Sequence, residues 1–199
     1  MKIAIINDTH AGVKNGSDIF LDYSERFYEN IFFPYLKENN ITKILHLGDY
    51  FDHRKYINFK VLKRNYKHFI EHLEENNITM DIIPGNHDLY YKNTNEISAV
   101  DEILEQYDCI TIYNQPTDID YDGCDIMVLP WLCAENSEEF MGKVSKSTST
   151  ILAGHLELDG FEMMQGIRAT HGMDKEVFNK FDIVLSGHYH TKSTQGNIH

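Results

Sequence analysis

Cysteine is scarce in this chain. Cys109, Cys124 and Cys133 form no C-x-x-C pair and leave an odd count, so they read as buried, reduced thiols. Long apolar runs are also missing. No window approaches a membrane span, and the apolar start at Met1–Ile6 meets Asn7 and Asp8 too early for a signal peptide. The expected address is the cytoplasm. Positive charge is in deficit: the formal net charge is -13, which excludes a uniformly basic surface that coats nucleic acid. Phosphate substrates stay open, because bound metals invert the local field. There is no repeat, low-complexity tract or linker, so one domain over residues 1–199 is expected, long enough to bury a core.

What the chain does have is histidine, 11 of them, several in short clusters. Their setting follows from the periodicity. Lys2–Ile6 reads as a buried strand. Residues 22–39 carry helical periodicity, with Pro34 expected to kink or split the helix. Lys43–Leu47 reads as a second strand, 58–75 as a helix with Asn58 as its N-cap, and Met80–Ile83 as a third strand. This β-α-β-α-β start predicts a parallel sheet with right-handed crossovers. A helix over 95–107, strands at Cys109–Tyr113 and Asp125–Leu129, and a turn-rich acidic loop at 115–123 follow. A helix over 135–146, a strand at Ile151–Ala153, an irregular stretch at 156–175 and a last strand at Asp182–Leu185 complete the chain, and Asn197–His199 reads as the start of another strand.

Polar donors gather where the strands stop. Asp8 and His10, Asp49, Asn86, His155, and His188 with His190 all follow predicted strands, where open α/β sheets place their ligand sites. In D-x-H and H-x-H the two side chains share a face of an extended segment, so one strand end presents both to the same centre. The seven donors are oxygen or imidazole, none is thiolate, and together they exceed the needs of one tetrahedral zinc. They suit two ions sharing a carboxylate, and the mixed set favours manganese or iron over zinc. His46 reads as a core histidine, and His68, His72 and His171 as surface or loop residues.

Asp8-Thr9-His10, Gly48-Asp49-Tyr50-Phe51-Asp52, Gly85-Asn86-His87-Asp88, Gly154-His155 and Gly187-His188-Tyr189-His190 together resemble the five signature motifs of calcineurin-like metallophosphoesterases. The resemblance implies a layered α/β sandwich of mixed sheets flanked by helices, with the metal site at strand carboxyl ends. It implies one ion on Asp8, His10, Asp49 and His190, and a second shared by Asp49 with Asn86, His155 and His188. His87 would be the acid beside the scissile phosphate, and Asp88 would orient it and help keep it charged. A water between the two ions would attack phosphorus.

Within that superfamily the chain looks most like the nuclease subunit of SbcCD-type double-strand-break repair complexes in the short form of tailed phages. That likeness implies DNA as substrate, manganese as the metal pair, an SbcC/Rad-type coiled-coil ATPase as partner and a possible homodimer. Members of that family continue into a capping domain and ATPase-binding helices, which residues 1–199 are expected to lack. The position of Asp52 holds a catalytic histidine in some relatives, so that role does not transfer. Local charge agrees with DNA: 53–70 carries six Lys or Arg and no acid. Lys60, Lys63, Arg64 and Lys67 recur on one helix face, and Arg54 and Lys55 precede it. Arg54, Lys55, Lys60 and Lys63 are thus the candidate DNA contacts, against the alternative of a solvated face. Phe59, Leu62, Tyr66, Phe69 and Leu73 form the opposing apolar stripe, expected in the core. The rival functions are a protein serine/threonine phosphatase, a small phosphodiesterase and a non-catalytic scaffold. The phosphatases use Arg-Gly and Asn-His-Glu where this chain has His53-Arg54 and Asp88.

Overall fold

The computed structural model describes residues 1–199. Four short strands, β1 (Ala4–Ile6), β2 (Lys43–His46), β3 (Thr79–Ile82) and β4 (Ile110–Ile112), pair in chain order into an all-parallel sheet. Its outer face is covered by two long helices. Leu36 from the first, Phe69 and Leu73 from the second, and Ile44 and Met80 from the strands share one apolar cluster. The first helix is Asp18–Phe27, a π turn at Tyr28–Phe32, and Phe33–Glu38. Pro34 sits in the first turn of the last segment, and the backbone stays in the right-handed helical region at the junction. The turn before the proline widens so that the Phe33 N–H donates to Tyr28 O, which absorbs the disruption a proline brings to the ladder. The second helix runs Phe59–Asn65, a π turn at Tyr66–Ile70, and Glu71–Glu75. Asn58 caps it as expected, accepting from the Lys60 N–H at 2.8 Å. The two π turns meet through Tyr28, Phe32, Phe33 and Phe69, with Tyr28 and Phe69 ring centroids 4.9 Å apart.

A second sheet has the order β10-β7-β6-β5, from β5 (Thr117–Asp120), β6 (Asp125–Leu129), β7 (Ile151–His155) and β10 (Ile183–Gly187). It is parallel except where β5 runs antiparallel to β6. The helix Ser137–Lys146 and a 3-10 turn at Lys175–Phe178 cover its outer face through Phe140, Val144 and Phe178. Leu45, Leu47 and Ile83 of the first sheet share a third cluster with Ile126, Val128 and Ala153 of the second. The layers are therefore helix, sheet, sheet, helix, the mixed α/β sandwich flanked by helices that the motifs imply.

Several local expectations change. The acidic loop at 115–123 contains the edge strand β5, whose Asp118 and Asp120 face solvent while Tyr121 beyond them is buried. An edge strand carrying outward charges is how a sheet avoids pairing with another chain. The irregular stretch holds a hairpin of β8 (Glu162–Met164) and β9 (Ile167–Arg168). The helix expected over 95–107 is confined to Ala99–Leu104. Of the cysteines only Cys133 is buried; Cys109 is partly exposed and Cys124 exposed. Residues 197–199 do run beside β10, the Ser186 N–H donating to His199 O at 3.0 Å. No helix is long and apolar enough to cross a membrane.

Candidate metal centre

Every parallel strand that bears a motif ends at the same edge of the sandwich. β1, β2 and β3 deliver Asp8 and His10, Asp49, and Asn86; β7 and β10 deliver His155, and His188 with His190. Reaching one point from two sheets demands sharp turns, and the backbone shows them. Asp8 (φ 51°), His10 (φ 42°), Asp49 (φ 53°) and His188 (φ 93°) all lie in the left-handed region. Non-glycine residues rarely sit there, although Asp, Asn and His are the side chains most often found there, and such strain collects at functional sites. The close approach also fixes a glycine. A Cβ on Gly85 would collide with the backbone N and Oδ1 of Asp49.

The seven donors converge as two groups sharing one residue. In the first, His10 Nε2 lies 3.1 Å from His190 Nε2, 3.8 Å from Asp8 Oδ1 and 3.7 Å from Asp49 Oδ2. In the second, His155 Nε2 lies 3.3 Å from Asp49 Oδ2 and 3.1 Å from Asn86 Oδ1, which is 2.9 Å from His188 Nδ1. The same Asp49 oxygen thus faces both groups, while its other oxygen accepts the His87 backbone N–H at 2.7 Å.

His155 Nδ1 lies 2.7 Å from Leu47 O. A carbonyl only accepts, so Nδ1 carries a proton and Nε2 is the nitrogen turned toward Asp49. Burial alone lowers the His155 pKa, yet Asp49 and Asp8 outweigh it and push the imidazole up to about 9. Asp49, buried beside that ring and held by the His87 N–H, is itself held well below the usual carboxylate range. Carboxylates this deep require positive charge, and two divalent cations provide what a single imidazolium supplies only in part. The residues fit a metal pair.

The surroundings redistribute two expected roles. Asp88 does not orient His87. Its fully buried carboxylate accepts the backbone N–H groups of Tyr50 (3.2 Å), Phe51 (2.9 Å) and Gly85 (2.9 Å), tying the Asp49 turn to the Asn86 turn. Burial and then Asp49 push its pKa up to about 7, against the three N–H donors that favour its charged form. His87 is oriented instead by Asp52, whose backbone O lies 2.8 Å from Nδ1. Nδ1 therefore carries a proton, and Nε2 is the nitrogen left for substrate. Asp52 also sets its carboxylate 3.5 Å from His10 Nδ1, close enough for charge to act on the ring but without a hydrogen bond to it.

His46 and the basic helix also have partners that sequence did not show. His46 is fully buried under the centre, accepts the Gly48 N–H at 3.2 Å and lies 3.0 Å from Thr9 Oγ1. Desolvation brings its pKa down to about 3, so it is neutral. On the helix, Lys60 pairs with Asp18 at 2.8 Å and Arg64 pairs with Asp18, Asp22 and Glu25, all on the 18–38 helix. Lys60, a candidate DNA contact, is thus held by a carboxylate on the neighbouring helix. Lys63 is exposed, and Arg54 and Lys55 lie on the loop leaving the centre. In the apolar stripe Phe69 and Leu73 are buried, but Phe59 is 87% exposed.

A two-sheet sandwich with a shared-carboxylate donor cluster at its strand ends defines a metal-dependent phosphoesterase class. The sequence agrees: the model for calcineurin-like phosphoesterases matches residues 1–192, and the chain belongs to that family. Among characterised proteins it is similar to exonuclease subunit 1 of Enterobacteria phage T4, 36% identical over 202 residues. That alignment covers 100% of this chain and 58% of the phage T4 protein, so the chain spans little more than half of that relative's length.

Proposed function

We propose that the chain is the catalytic domain of a two-metal DNA nuclease. The observation that carries this reading is the position of Asp49 Oδ2, 3.7 Å from His10 Nε2 and 3.3 Å from His155 Nε2. Asp8, His10, Asp49 and His190 would hold one ion; Asp49, Asn86, His155 and His188 would hold the other. When bound, the ions acidify the attacking water and neutralise charge on the phosphoryl oxygens. The oxygen and imidazole donors suit manganese.

The protein's own groups then have separate tasks. His87, anchored through Nδ1, presents Nε2 to the leaving oxygen and, as imidazolium, donates the proton it needs. Asp88 contributes by position alone, clamping the turns that carry Asp49 and Asn86. Arg54 has no carboxylate partner; burial pulls its pKa below the ordinary value, with the Asp49 and Asp88 charges acting against that shift. It is therefore placed to receive a phosphate beside the centre. The likeness to a phage exonuclease subunit supports a nuclease that works with a partner subunit; in our reading the substrate is DNA, the partner is a coiled-coil ATPase of the SbcC type, and the place of work is the cytoplasm.

The outer helix supports a homodimer. Ile19, Tyr23, Phe27, Ile31 and Tyr35 recur every four residues on the 18–38 helix and are 39–69% exposed. A stripe of this length on a solvated helix marks an interface.

The test is hydrolysis of end-labelled DNA with manganese, beside a phosphopeptide. The wild type should cut DNA, chelation should stop it, and His188→Ala should lower the rate by at least about a hundredfold, the scale of one lost electrostatic contact at the reacting group. Phosphopeptide turnover with intact DNA would instead make the protein a phosphatase.

A further inference from the structure

The loop that leaves the metal centre carries exposed aromatic rings among cations, an arrangement the centre itself does not require. It begins at Asp52, whose carbonyl anchors His87, and runs through His53, Arg54, Lys55 and Tyr56 to Phe59. The Tyr56 ring stacks on His53 at 4.7 Å with 22° between the planes, yet Tyr56 is 63% exposed. Phe59, at the first turn of the 59–75 helix, is 87% exposed. Across from them lies the loop after β3: Lys55 Nζ sits 5.2 Å from the Tyr90 ring centroid, and Tyr90 meets the 42% exposed Tyr91 edge-on. A cavity of about 210 Å³ opens beside the His53–Tyr56 stack, walled also by Asn15, Asn58 and Val61.

From this we infer that the 53–59 and 90–91 loops form a stacking platform for an unpaired DNA strand entering the metal centre, a deepening that rests on the nuclease reading. Exposed rings interleaved with cations bind single strands, because every base offers a π face and every phosphate a charge. In a duplex those faces are covered by neighbouring bases, so the platform selects unpaired or frayed ends. Charge supports the same occupant. The protein carries a net charge of -13, and the Lys60 and Arg64 cations farther along the helix are committed to carboxylates. Arg54 and Lys55 have no such partner and remain for the strand's phosphates. The first ring, His53, directly follows Asp52, whose carbonyl anchors His87, so a strand lying on the rings leads its backbone to the reacting atoms.

The test is fluorescence anisotropy without metal, so that nothing is cut, using a labelled oligothymidylate and a blunt hairpin duplex. Tyr56→Ala and Phe59→Ala alter exposed rings and leave the core intact. Each should weaken oligothymidylate binding by about 5- to 150-fold, which is about 1–3 kcal/mol of stacking, with duplex affinity changed less than twofold. Unchanged oligothymidylate affinity, or equal loss on both DNAs, would overturn the platform. Hydrolysis of bis(p-nitrophenyl) phosphate by the wild type with manganese tests the underlying reading separately. Ring-dependent strand binding without diester hydrolysis would support the platform and overturn the nuclease.

Discussion

At the scale of single residues, the centre depends on side chains held where the backbone is strained and on groups that never touch substrate. Gly85 shows the first. Any Cβ there meets Asp49, so Gly85→Ala should displace the shared carboxylate and weaken manganese binding by at least tenfold in a calorimetric titration. Asp88 shows the second. Replacing it with Asn leaves at least one of its three N–H partners facing an amide donor, at a cost of about 1–3 kcal/mol, visible as a lower midpoint in urea. His46 gives a pH dependence. Its folded pKa lies near 3, below the ordinary 6.5, so its stabilising contribution is complete above about pH 6.5 and is lost as pH falls toward 3. The stability advantage of the wild type over His46→Gln should therefore shrink between those limits in denaturant titrations. The metal donors were legible in sequence because few residue types can serve and all follow strands. The partners of Asp88 were not. Adjacency to His87 suggested one contact, whereas the three donors come from turns that only the fold brings together.

Among the elements, packing outweighs charge. The 18–38 and 59–75 helices share both an aromatic cluster and the Arg64 ion-pair network. Phe69 is fully buried against Tyr28, Phe32 and Phe33, so Phe69→Ala should cost about 3–5 kcal/mol. Arg64 retains some solvent exposure, and its carboxylates are screened by water. Arg64→Ala should cost only about 1 kcal/mol, and less at high salt. Paired urea titrations of the two variants check that ranking. Charge periodicity had placed Lys60 and Arg64 on one face correctly, but it carries no information about what packs opposite. Strand β5 was missed for a different reason. Thr117, Ile119 and Tyr121 alternate with Asp118 and Asp120, the period-two pattern of an edge strand, but the acidity of the segment concealed it. The π turns left no sequence signal beyond Pro34, and the second of them contains no proline at all.

For the molecule as a whole, the parallel first sheet followed from the order of strands and helices, because crossover helices leave few topologies, while the layered sandwich followed only from the resemblance of the motifs. The pairing of two sheets over one centre could not be read that way, since it depends on Leu45, Leu47 and Ile83 meeting Ile126, Val128 and Ala153. The proposed homodimer rests on the exposed stripe of the outer helix; it predicts a dimeric wild type in sedimentation and a monomeric Ile31→Lys variant. The central claim is the shared metal site, and the most direct measurement is calorimetric titration of metal-free protein with manganese. Two ions per chain should bind to the wild type, His190→Ala should lose one of them, and Asp49→Ala should lose tight binding of both. A single ion in the wild type, or two tight ions in Asp49→Ala, would contradict the account.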